Sequence, residues 1–483
     1  MIDNNMFRDK KITVMGLGLF GGGAGLARFL VRQGARLVIT DLKTEEQLAS
    51  SLATLDGPPV ELHLGGHRED DFKGVDMVMV NPAVPRDSRF LQIAKENNVP
   101  LDTEMNLFFR LCRAPILGVT GTKGKSTTTA LIGEMLHHQG RRVWVGGNLG
   151  LGYSLLERID EIATDDLVVL ELSSFQLEDL SKLRMSPHVS IITNIAPNHL
   201  DRHGSYAEYI EAKRNIIRFQ GPNDYCIMNL DDRELRKWPA DTMARVLWFS
   251  TKDVVESGAF VENGKICLRL SEREPGEIEV SCLSNVKIPG AHNAANILAA
   301  SCAAFLMGAG GEHIDRALRE FSGLEHRLEF VCDIDGACYY NDSIATTPES
   351  AIAGLRAFEG PIVLIAGGYD KGIPFDALAE ECLKRTKCVI LIGSTAQKIG
   401  ELIARARRGS DTPEVIFASS LEGAVRSARN LAQRGDTVLL SPACASYDMF
   451  VNFEDRGRQF KALVREAKQV KVTRSMSRQN FLM

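Results

Sequence analysis

Short apolar runs alternate with helical patterns along almost the whole chain, and few folds are compatible with that alternation. Runs such as KITVM, RLVIT and DLVVLEL have the length of buried strands, and apolar residues at helical spacing follow them. Strands separated by helices pair in parallel, because each helix carries the chain back across one face of the sheet. The sequence therefore predicts an α/β fold.

Changes in this pattern predict three domains. Residues 1–113 begin with a βαβ unit and are predicted to form a Rossmann-like domain. Residues 323–483 show the same alternation of strands and helices and are predicted to form a second one. Residues 114–322 are predicted to form the central domain. Between Phe249 and Pro289, polar and apolar residues alternate in short runs separated by glycines, which predicts small antiparallel strands. The last dozen residues, VTRSMSRQNFLM, are polar and basic without clear periodicity, so we predict a frayed tail.

Composition restricts the class of partner and the compartment. The 483 residues carry a formal net charge of −5, so no excess of Lys and Arg favours a nucleic acid. The ten cysteines form no CxxC pair, which is typical of a reducing compartment. No apolar stretch approaches the length of about 18 residues that crosses a bilayer. We predict a cytoplasmic protein without nucleic-acid or membrane partners.

The strongest local signal is GTKGKST, which follows the strand PILGVT and precedes a helix. The backbone N–H groups of such a loop cradle a triphosphate, its Lys reaches the terminal phosphates and its Ser can bind Mg²⁺. Val119 stands where the strict pattern has Gly, and a solvated turn with two lysines is the alternative. We predict a P-loop ATPase-type central domain whose phosphate-binding residues are Gly121, Thr122, Lys123, Gly124, Lys125, Ser126 and Thr127.

A second glycine motif lies near the N-terminus. Gly16, Gly18 and Gly21 fit GxGxxG after a strand, and Asp41 follows about twenty residues later, as in dinucleotide-binding domains. Glycines here let a backbone approach a diphosphate at the helix N-terminus, although the same spacing also permits close packing of helix on strand. An NAD-dependent oxidoreductase is therefore one alternative, but it leaves GTKGKST unexplained.

Other polar residues stand at or after predicted strand ends, where α/β sheets bind ligands. Glu171 and His199 could hold a metal with Lys213 on the following helix, and Asn148 could offer its amide. Each also has an ordinary interpretation as a strand end, a loop or turn residue, or a surface lysine. The third block adds Asp342, Thr346, Lys371 and Ser446, which favour a small-molecule site.

Taken together, these segments resemble the Mur ligase family. The resemblance covers nearly the whole chain in order, through GTKGKST, GNLG, ELSSFQLE, NHLDRHG, GAHNAAN, HRLE, NDSIAT, GGYDKG and SPACASYDMFVNFEDRG. It implies an ATP-dependent ligase that joins D-glutamate to UDP-N-acetylmuramoyl-L-alanine through an acyl phosphate. The N-terminal domain would hold the UDP group, the central domain ATP, and the C-terminal domain glutamate.

The resemblance also implies roles for single residues. Lys125, His199 and Lys213 would be catalytic. Ser126, Glu171, His199 and Lys213, the last as a carbamate, would hold two Mg²⁺ ions. The nucleotide would contact Asn293, Arg327 and Asp342 in addition to the loop. The muramoyl substrate would contact Gly18, Leu19, Asp41 and Asn148, and glutamate would contact Thr346, Lys371, Ser446 and Phe453.

Two positions depart from the family pattern. Lys123 stands where the loop more often has Asn, and Ile344 occupies a place usually held by Lys. These changes alter single contacts at the nucleotide. We further predict a monomer, and a non-catalytic nucleotide switch remains a second alternative, which would bind ATP without any amino-acid dependence of hydrolysis.

Overall fold

The computed structural model describes residues 6–18, 22–55, 60–148, 154–270, 276–288, 291–370, 373–407 and 412–479. The chain divides into two compact units. The first contains residues 1–285 and 292–319, and the second contains residues 286–291 and 320–483. The predicted α/β class is confirmed, with three sheets built mainly from parallel strands.

The first sheet has five parallel strands in the order β3-β2-β1-β4-β5. This is the order of a Rossmann-type sheet, whose direction of winding reverses between β1 and β4. Its strands are β1 (Lys11–Met15), β2 (Arg36–Asp41), β3 (Glu61–Leu64), β4 (Met77–Val80) and β5 (Leu101–Asp102). Its helices are α1 (Gly22–Arg32), α2 (Glu45–Leu52), α3 (Arg89–Glu96) and α4 (Glu104–Leu111).

The second sheet has nine strands in the order β14-β13-β12-β11-β10-β9-β6-β8-β7. They are β6 (Ile116–Thr120), β7 (Val143–Gly147), β8 (Leu167–Glu171), β9 (Val189–Ile192), β10 (Tyr225–Asn229), β11 (Arg245–Ser250), β12 (Gly258–Glu262), β13 (Lys265–Arg269) and β14 (Ile278–Cys282). The helices are α5 (Lys125–His138), α6 (Ser174–Leu183), α7 (Leu200–His203), α8 (Tyr206–Arg218), α9 (Ala291–Leu306) and α10 (Gly311–Glu320).

The antiparallel strands predicted after Phe249 are confirmed at one edge of this second sheet. β12 pairs antiparallel with β13, and β13 pairs antiparallel with β14. Ion pairs cross these strands, Lys265 with Glu279 at 2.7 Å and Arg269 with Glu277 at 2.7 Å. Two exposed carboxylates therefore lie along this edge, Glu279 within β14 and Glu277 immediately before it.

One continuous hydrophobic core serves both sheets of the first unit. It contains Leu107 and Phe108 of α4 together with Leu156 and Leu170, which belong to the central sheet and its connections. β6 and β8 are buried along their whole length, because helices cover both faces of a parallel sheet. The N-terminal and central sheets are thus packed as one body.

The second unit has a six-stranded sheet in the order β15-β16-β20-β17-β18-β19, of which only β15 is antiparallel to its neighbour. The strands are β15 (Glu329–Ile334), β16 (Ala337–Asn341), β17 (Ile362–Gly367), β18 (Thr386–Ile392), β19 (Glu414–Phe417) and β20 (Thr437–Leu440). The helices are α11 (Pro348–Leu355), α12 (Asp376–Arg385), α13 (Ala396–Ala406), α14 (Leu421–Leu431) and α15 (Phe453–Gln479).

The C-terminal end differs from the prediction. Helix α15 continues to Gln479, so the predicted frayed tail is wrong for residues 472–479. Among the residues described, no helix combines the length and apolarity needed to cross a membrane.

Candidate active site

The predicted phosphate-binding loop lies between β6 and α5, and two glycines give it its shape. Gly121 has φ +144°, and a Cβ there would lie 2.0 Å from Thr193 Oγ1. Gly124 caps α5 with φ +85°, and its Cβ would lie 2.2 Å from Asn296 Oδ1. A side chain at either position would have to displace a neighbour, so the loop requires glycine twice.

Residues that follow β9 hold this loop in place. Asn194 accepts from the backbone N–H of Lys123 at 2.9 Å and donates its amide to the carbonyl of Lys123 at 2.9 Å. Thr193 donates to the same carbonyl at 2.6 Å. Sequence reasoning missed both residues, although their position directly after a buried strand was a usable signal.

Two lysines converge on the carbonyl oxygens of the loop. Lys125 Nζ donates to Gly121 O at 3.1 Å and to Thr122 O at 3.2 Å. Lys213 Nζ donates to Gly121 O at 2.9 Å and to Thr120 Oγ1 at 3.2 Å. Lys213 is buried, and burial together with the charge of Lys125 holds its pKa well below the ordinary value, against a smaller opposite effect of Glu171.

Glu171 ends β8 beside the loop and is only 3% exposed. Asn148 Nδ2 donates to its Oε1 at 3.4 Å, which brings together two residues predicted from separate strand ends. Its Oε2 is buried and has no hydrogen-bond partner among the described residues. A buried carboxylate oxygen in this state is costly unless a cation binds it, so the residue fits a Mg²⁺ ligand. Ser126 is buried in the first turn of α5 and Thr127 follows it.

His199 is exposed, with φ +51°, and its ring lies 5.2 Å from that of Phe175. The same Phe175 ring stacks on His203 at 5.2 Å, and His203 also forms a 2.9 Å hydrogen bond with Ser174. Burial lowers the pKa of His203. His203 thus supports the segment that carries His199. Sequence reasoning assigned no role to His203.

Asn293 is linked to the loop through a neighbour on α9. Asn296 Nδ2 donates to Asn293 Oδ1 at 3.1 Å, and both side chains are buried. The same Asn296 side chain faces Gly124. The structure thus places the predicted nucleotide residue Asn293 one hydrogen bond away from the phosphate-binding loop.

The N-terminal glycine motif is held by Asp41 at the end of β2. Asp41 Oδ2 accepts from the N–H groups of Leu17 at 2.9 Å and Gly18 at 3.2 Å, and Oδ1 accepts from Lys43 at 2.9 Å. In an NAD-binding domain this acid would bind the ribose, whereas here it folds its own loop, which disfavours the oxidoreductase alternative. The direct substrate contacts of Gly18 and Asp41 stay predictions, and Leu19 lies outside the described residues.

In the second unit, Asp342 lies directly after β16 and is 4% exposed. Ser441 donates to its Oδ2 at 2.8 Å and the N–H of Leu328 donates to its Oδ1 at 3.2 Å. Burial raises the pKa of Asp342 to about 7, although these hydrogen bonds and the charge of Arg327 act in the opposite direction. Arg327 therefore lies close enough to Asp342 for its charge to act on that carboxyl, while the nucleotide contacts of both residues stay predictions.

Arg456 joins two of the loops that carry residues predicted to bind the substrate glutamate. Its guanidinium is completely buried and donates to Ser343 Oγ at 2.9 Å, to Ser343 O at 2.9 Å and to Cys444 O at 3.1 Å. Burial lowers the pKa of Arg456 to about 10. Thr346 and Ser446 follow these contacts closely in the chain. Sequence reasoning missed Arg456, which resembles any surface arginine near the start of a helix.

A third loop of the second unit is tied to the same framework. The N–H of Gly368 donates to Thr395 Oγ1 at 3.0 Å, and the N–H of Tyr369 donates to Ala445 O at 2.9 Å. Lys371 follows this loop but lies outside the described residues. Phe453 begins α15, where its ring meets that of His326 edge to face at 6.0 Å.

Comparisons with known proteins cover all three sheets. Family models match residues 10–102 (Mur ligase MurD-like, N-terminal domain), 119–304 (Mur ligase middle domain) and 326–444 (Mur ligase, glutamate ligase domain). The UDP-N-acetylmuramoylalanine--D-glutamate ligase of Roseiflexus sp. (strain RS-1) is 45% identical over 469 residues, covering 94% of this chain and 98% of that protein. The protein of that name from Acetivibrio thermocellus is 42% identical over 461 residues, covering 95% and 96%.

Solved structures agree at the level of the fold. The UDP-N-acetylmuramate-alanine ligase MurC of Thermotoga maritima is 20% identical with a TM-score of 0.59, covering 95% of this chain and 100% of that one. The MurF ligase of the same organism, solved in complex with ADP, is 18% identical with a TM-score of 0.53, covering 97% and 98%. The resemblance predicted from the motifs is confirmed by these full-length matches, and the chain belongs to the Mur ligase family.

Proposed function

We propose that the chain is an ATP-dependent ligase that adds D-glutamate to UDP-N-acetylmuramoyl-L-alanine in peptidoglycan precursor synthesis, through an acyl phosphate. The relatives that it matches over nearly their full length carry the name of that reaction. The observation that supports it most in the structure is the glycine-shaped loop, with Lys125 and the buried Lys213 on its carbonyl oxygens and Glu171 beside them.

The chemistry explains why a phosphate-binding loop is needed. A carboxylate is a poor electrophile, so its oxygen first attacks the γ-phosphorus of ATP, and ADP leaves. The amine of D-glutamate then attacks the carbon of the acyl phosphate, the new C–N bond forms, and phosphate departs with loss of an amine proton. Lys125 offsets negative charge on the transferring group. Mg²⁺, when bound, supplies further positive charge against the phosphates.

The site residues are assigned as follows in this proposal. The loop residues 121–127 bind the phosphates of ATP, with Ser126 and Glu171 as ligands of one Mg²⁺ and His199 with Lys213 at a second. Asn293, Arg327 and Asp342 contact the nucleotide. Gly18, Leu19, Asp41 and Asn148 contact the muramoyl substrate, and Thr346, Lys371, Ser446 and Phe453 contact glutamate. The domain limits 1–113, 114–322 and 323–483 belong to the same proposal.

Lys213 serves as a carbamate. A buried amine whose pKa is well below the ordinary value releases its proton more readily, and the neutral amine adds to CO₂ with formation of an N–C bond and loss of a proton. Both described hydrogen-bond partners of its Nζ are oxygen atoms of neutral groups, and the opposing effect of Glu171 is smaller than that of burial. A carbamate signal in carbon-13 NMR after exposure to labelled bicarbonate, absent from Lys213→Met, is the expected result.

The decisive experiment measures phosphate release with ATP, Mg²⁺, UDP-N-acetylmuramoyl-L-alanine and one amino acid at a time. We expect release that requires both the muramoyl nucleotide and D-glutamate, and on the order of 100-fold less of it in Lys125→Ala. Lys73→Ala is the control, because Lys73 pairs with Glu69 on the surface of the N-terminal sheet domain. ATP hydrolysis at the same rate with and without the amino acid would favour the nucleotide switch instead.

A further inference from the structure

The contact between the N-terminal and central sheets includes two groups of polar contacts that the reaction scheme does not use. The first group lies between α1 and the 3₁₀ helix Leu155–Glu161, which follows β7. The second lies between the loop after β4 and helices α6 and α7. Both groups are within the first compact unit, and we name them the α1 contact and the β4 contact.

The α1 contact centres on Glu157. Arg28 Nε and Nη2 donate to the two carboxylate oxygens of Glu157 at 2.6 and 2.7 Å, and Arg28 Nη1 donates to Thr54 O at 2.6 Å. Arg32 donates to the backbone carbonyl of Glu157. The side chains of Arg28 and Glu157 are 20% and 14% exposed. A bidentate ion pair that is mostly shielded from water fixes the relative orientation of the two helices as well as their distance.

The backbone of α1 approaches this helix too closely for any side chain. A Cβ on Gly25 would lie 2.6 Å from Glu157 Oε2 and 2.6 Å from Ser154 Cβ. Ser154 is buried. The glycine therefore permits the approach that the Arg28–Glu157 pair requires, and two independent features define the α1 contact.

The β4 contact ties down the other side of the N-terminal sheet. Arg86 donates to Asp179 of α6 at 2.6 Å and lies 3.4 Å from Glu178. Arg202 of α7 donates to the carbonyls of Pro82 at 3.1 Å and Ala83 at 3.2 Å. Arg202 also lies over the ring of Phe175 at 4.9 Å, and that ring touches His199.

The positions of the two contacts in the sheet are informative. β1 and β4 are neighbours, and the winding reverses between them, which is where Rossmann-type sheets bind their ligand. The elements that follow these two strands form the two sides of that crevice. On the central side, the contacts attach to elements that follow β7, β8 and β9, and the ends of β7 and β8 carry Asn148 and Glu171.

We propose that the Arg28–Glu157 and Arg86–Asp179 pairs are positioning contacts, which fix the nucleotide crevice of the N-terminal sheet relative to the phosphate-binding loop. The proposal rests on the proposed function, because it explains how the carboxylate of a UDP-linked substrate is presented to the γ-phosphate. Neither pair touches a substrate in this scheme. Their effect is on the relative orientation of two binding sites.

Charge reversal tests the first pair. We expect Arg28→Glu and Glu157→Arg each to lower kcat/KM for the muramoyl nucleotide by at least about tenfold, while KM for D-glutamate changes by less than about twofold. The double variant Arg28→Glu/Glu157→Arg should recover to within about threefold of the unmodified protein. ADP affinity, measured by calorimetry, should stay unchanged. Arg426→Glu is the control, because it breaks an exposed pair with Glu422 on α14.

A second measurement does not depend on turnover. Hydrogen exchange of α1 and of residues 155–161 should rise in both single variants and return in the double variant. Glu157→Gln, which keeps the size of the side chain, replaces any reversal that fails to fold. Unchanged kcat/KM and unchanged hydrogen exchange in the single variants would overturn the proposal. A lowered kcat/KM that does not recover in the double variant would also overturn it. An unmodified protein without ligase turnover would count against the proposed function, while exchange would still decide whether the pair holds the contact.

Discussion

At the scale of single residues, the site depends on ionisable side chains that lie inside the protein. Lys213 and Glu171 are both almost fully buried, yet neither has the partners that a charged side chain ordinarily has inside a protein. Such groups are costly to keep for stability alone. Their cost is consistent with a function that needs a weakly basic amine and an available carboxylate oxygen side by side.

We expect Glu171→Gln to lower kcat on the order of 100-fold, because an amide oxygen is a weaker Mg²⁺ ligand than a carboxylate. The Mg²⁺ concentration that gives half-maximal activity should rise, while ADP binding measured without Mg²⁺ should be unchanged. Glu277→Gln is the matched control, since it changes an exposed acid that lies just before β14 and pairs with Arg269. Equal Mg²⁺ dependence in the two variants would contradict the role of Glu171.

The raised pKa of Asp342 predicts a pH dependence of stability. The native protein keeps a proton on Asp342 up to about pH 7, whereas the unfolded chain loses it near pH 4. The native state therefore binds more protons over this interval, so this contribution is complete below pH 4 and is lost as the pH rises to about 7. The thermal midpoint of the unmodified protein should fall relative to that of Asp342→Asn over this range. A constant difference between the two would contradict the prediction.

At the scale of elements, the two ends of α5 carry glycines that can be compared, one in the phosphate-binding loop and one away from it. Gly124 and Gly140 stand at opposite ends of α5 with φ +85° and +84°. A Cβ on Gly124 meets Asn296, whereas a Cβ on Gly140 meets nothing within 4 Å. The two positions share backbone strain and differ in contact.

Gly124→Ala should therefore weaken ADP binding at least about tenfold, or about 1.4 kcal/mol, because the loop must shift. Gly140→Ala should lower stability by about 1 kcal/mol through backbone strain and leave ADP affinity unchanged. Calorimetric titration with ADP and thermal unfolding separate the two effects. Equal loss of affinity in both variants would mean that strain in α5, rather than the contact with Asn296, is responsible.

Elements with a strong local signal were predictable from the sequence, and tertiary contacts were not. Apolar runs followed by glycine or a polar residue identified β6, β8, β17 and β20, and with them the edge that carries Glu171. The short strand β5 and the amphipathic β11 were not singled out, because neither has a long apolar run. Arg456 and Asn296 matter through partners distant in the chain, which local periodicity does not report. The end of the C-terminal helix was missed because the sequence from Val472 onward has no clear apolar periodicity.

At the scale of the whole molecule, one hydrophobic cluster of the first unit contains residues of both its sheets, and the second unit has clusters of its own. Residues that share a core unfold together, so the N-terminal and central sheets should behave as one cooperative body. This arrangement also explains why polar pairs suffice to orient the two sheets, since the apolar core already supplies the free energy of their association.

Calorimetric unfolding should accordingly show two transitions. Leu107→Ala in α4 and Leu170→Ala in β8 should lower the same transition, each by about 2–5 kcal/mol, although they belong to different sheets. Leu439→Ala in β20 should lower the other transition. Separate transitions for the first two variants would show that the shared core does not couple the N-terminal and central sheets.

The charged outer strand of the central sheet bears on how copies of the chain meet. An unpaired strand edge invites a neighbouring chain to add a strand, which is how many proteins aggregate. Here an incoming strand would have to run beside Glu277 and Glu279, which are already engaged with Arg269 and Lys265. At high concentration, sheet extension along this edge would therefore be disfavoured.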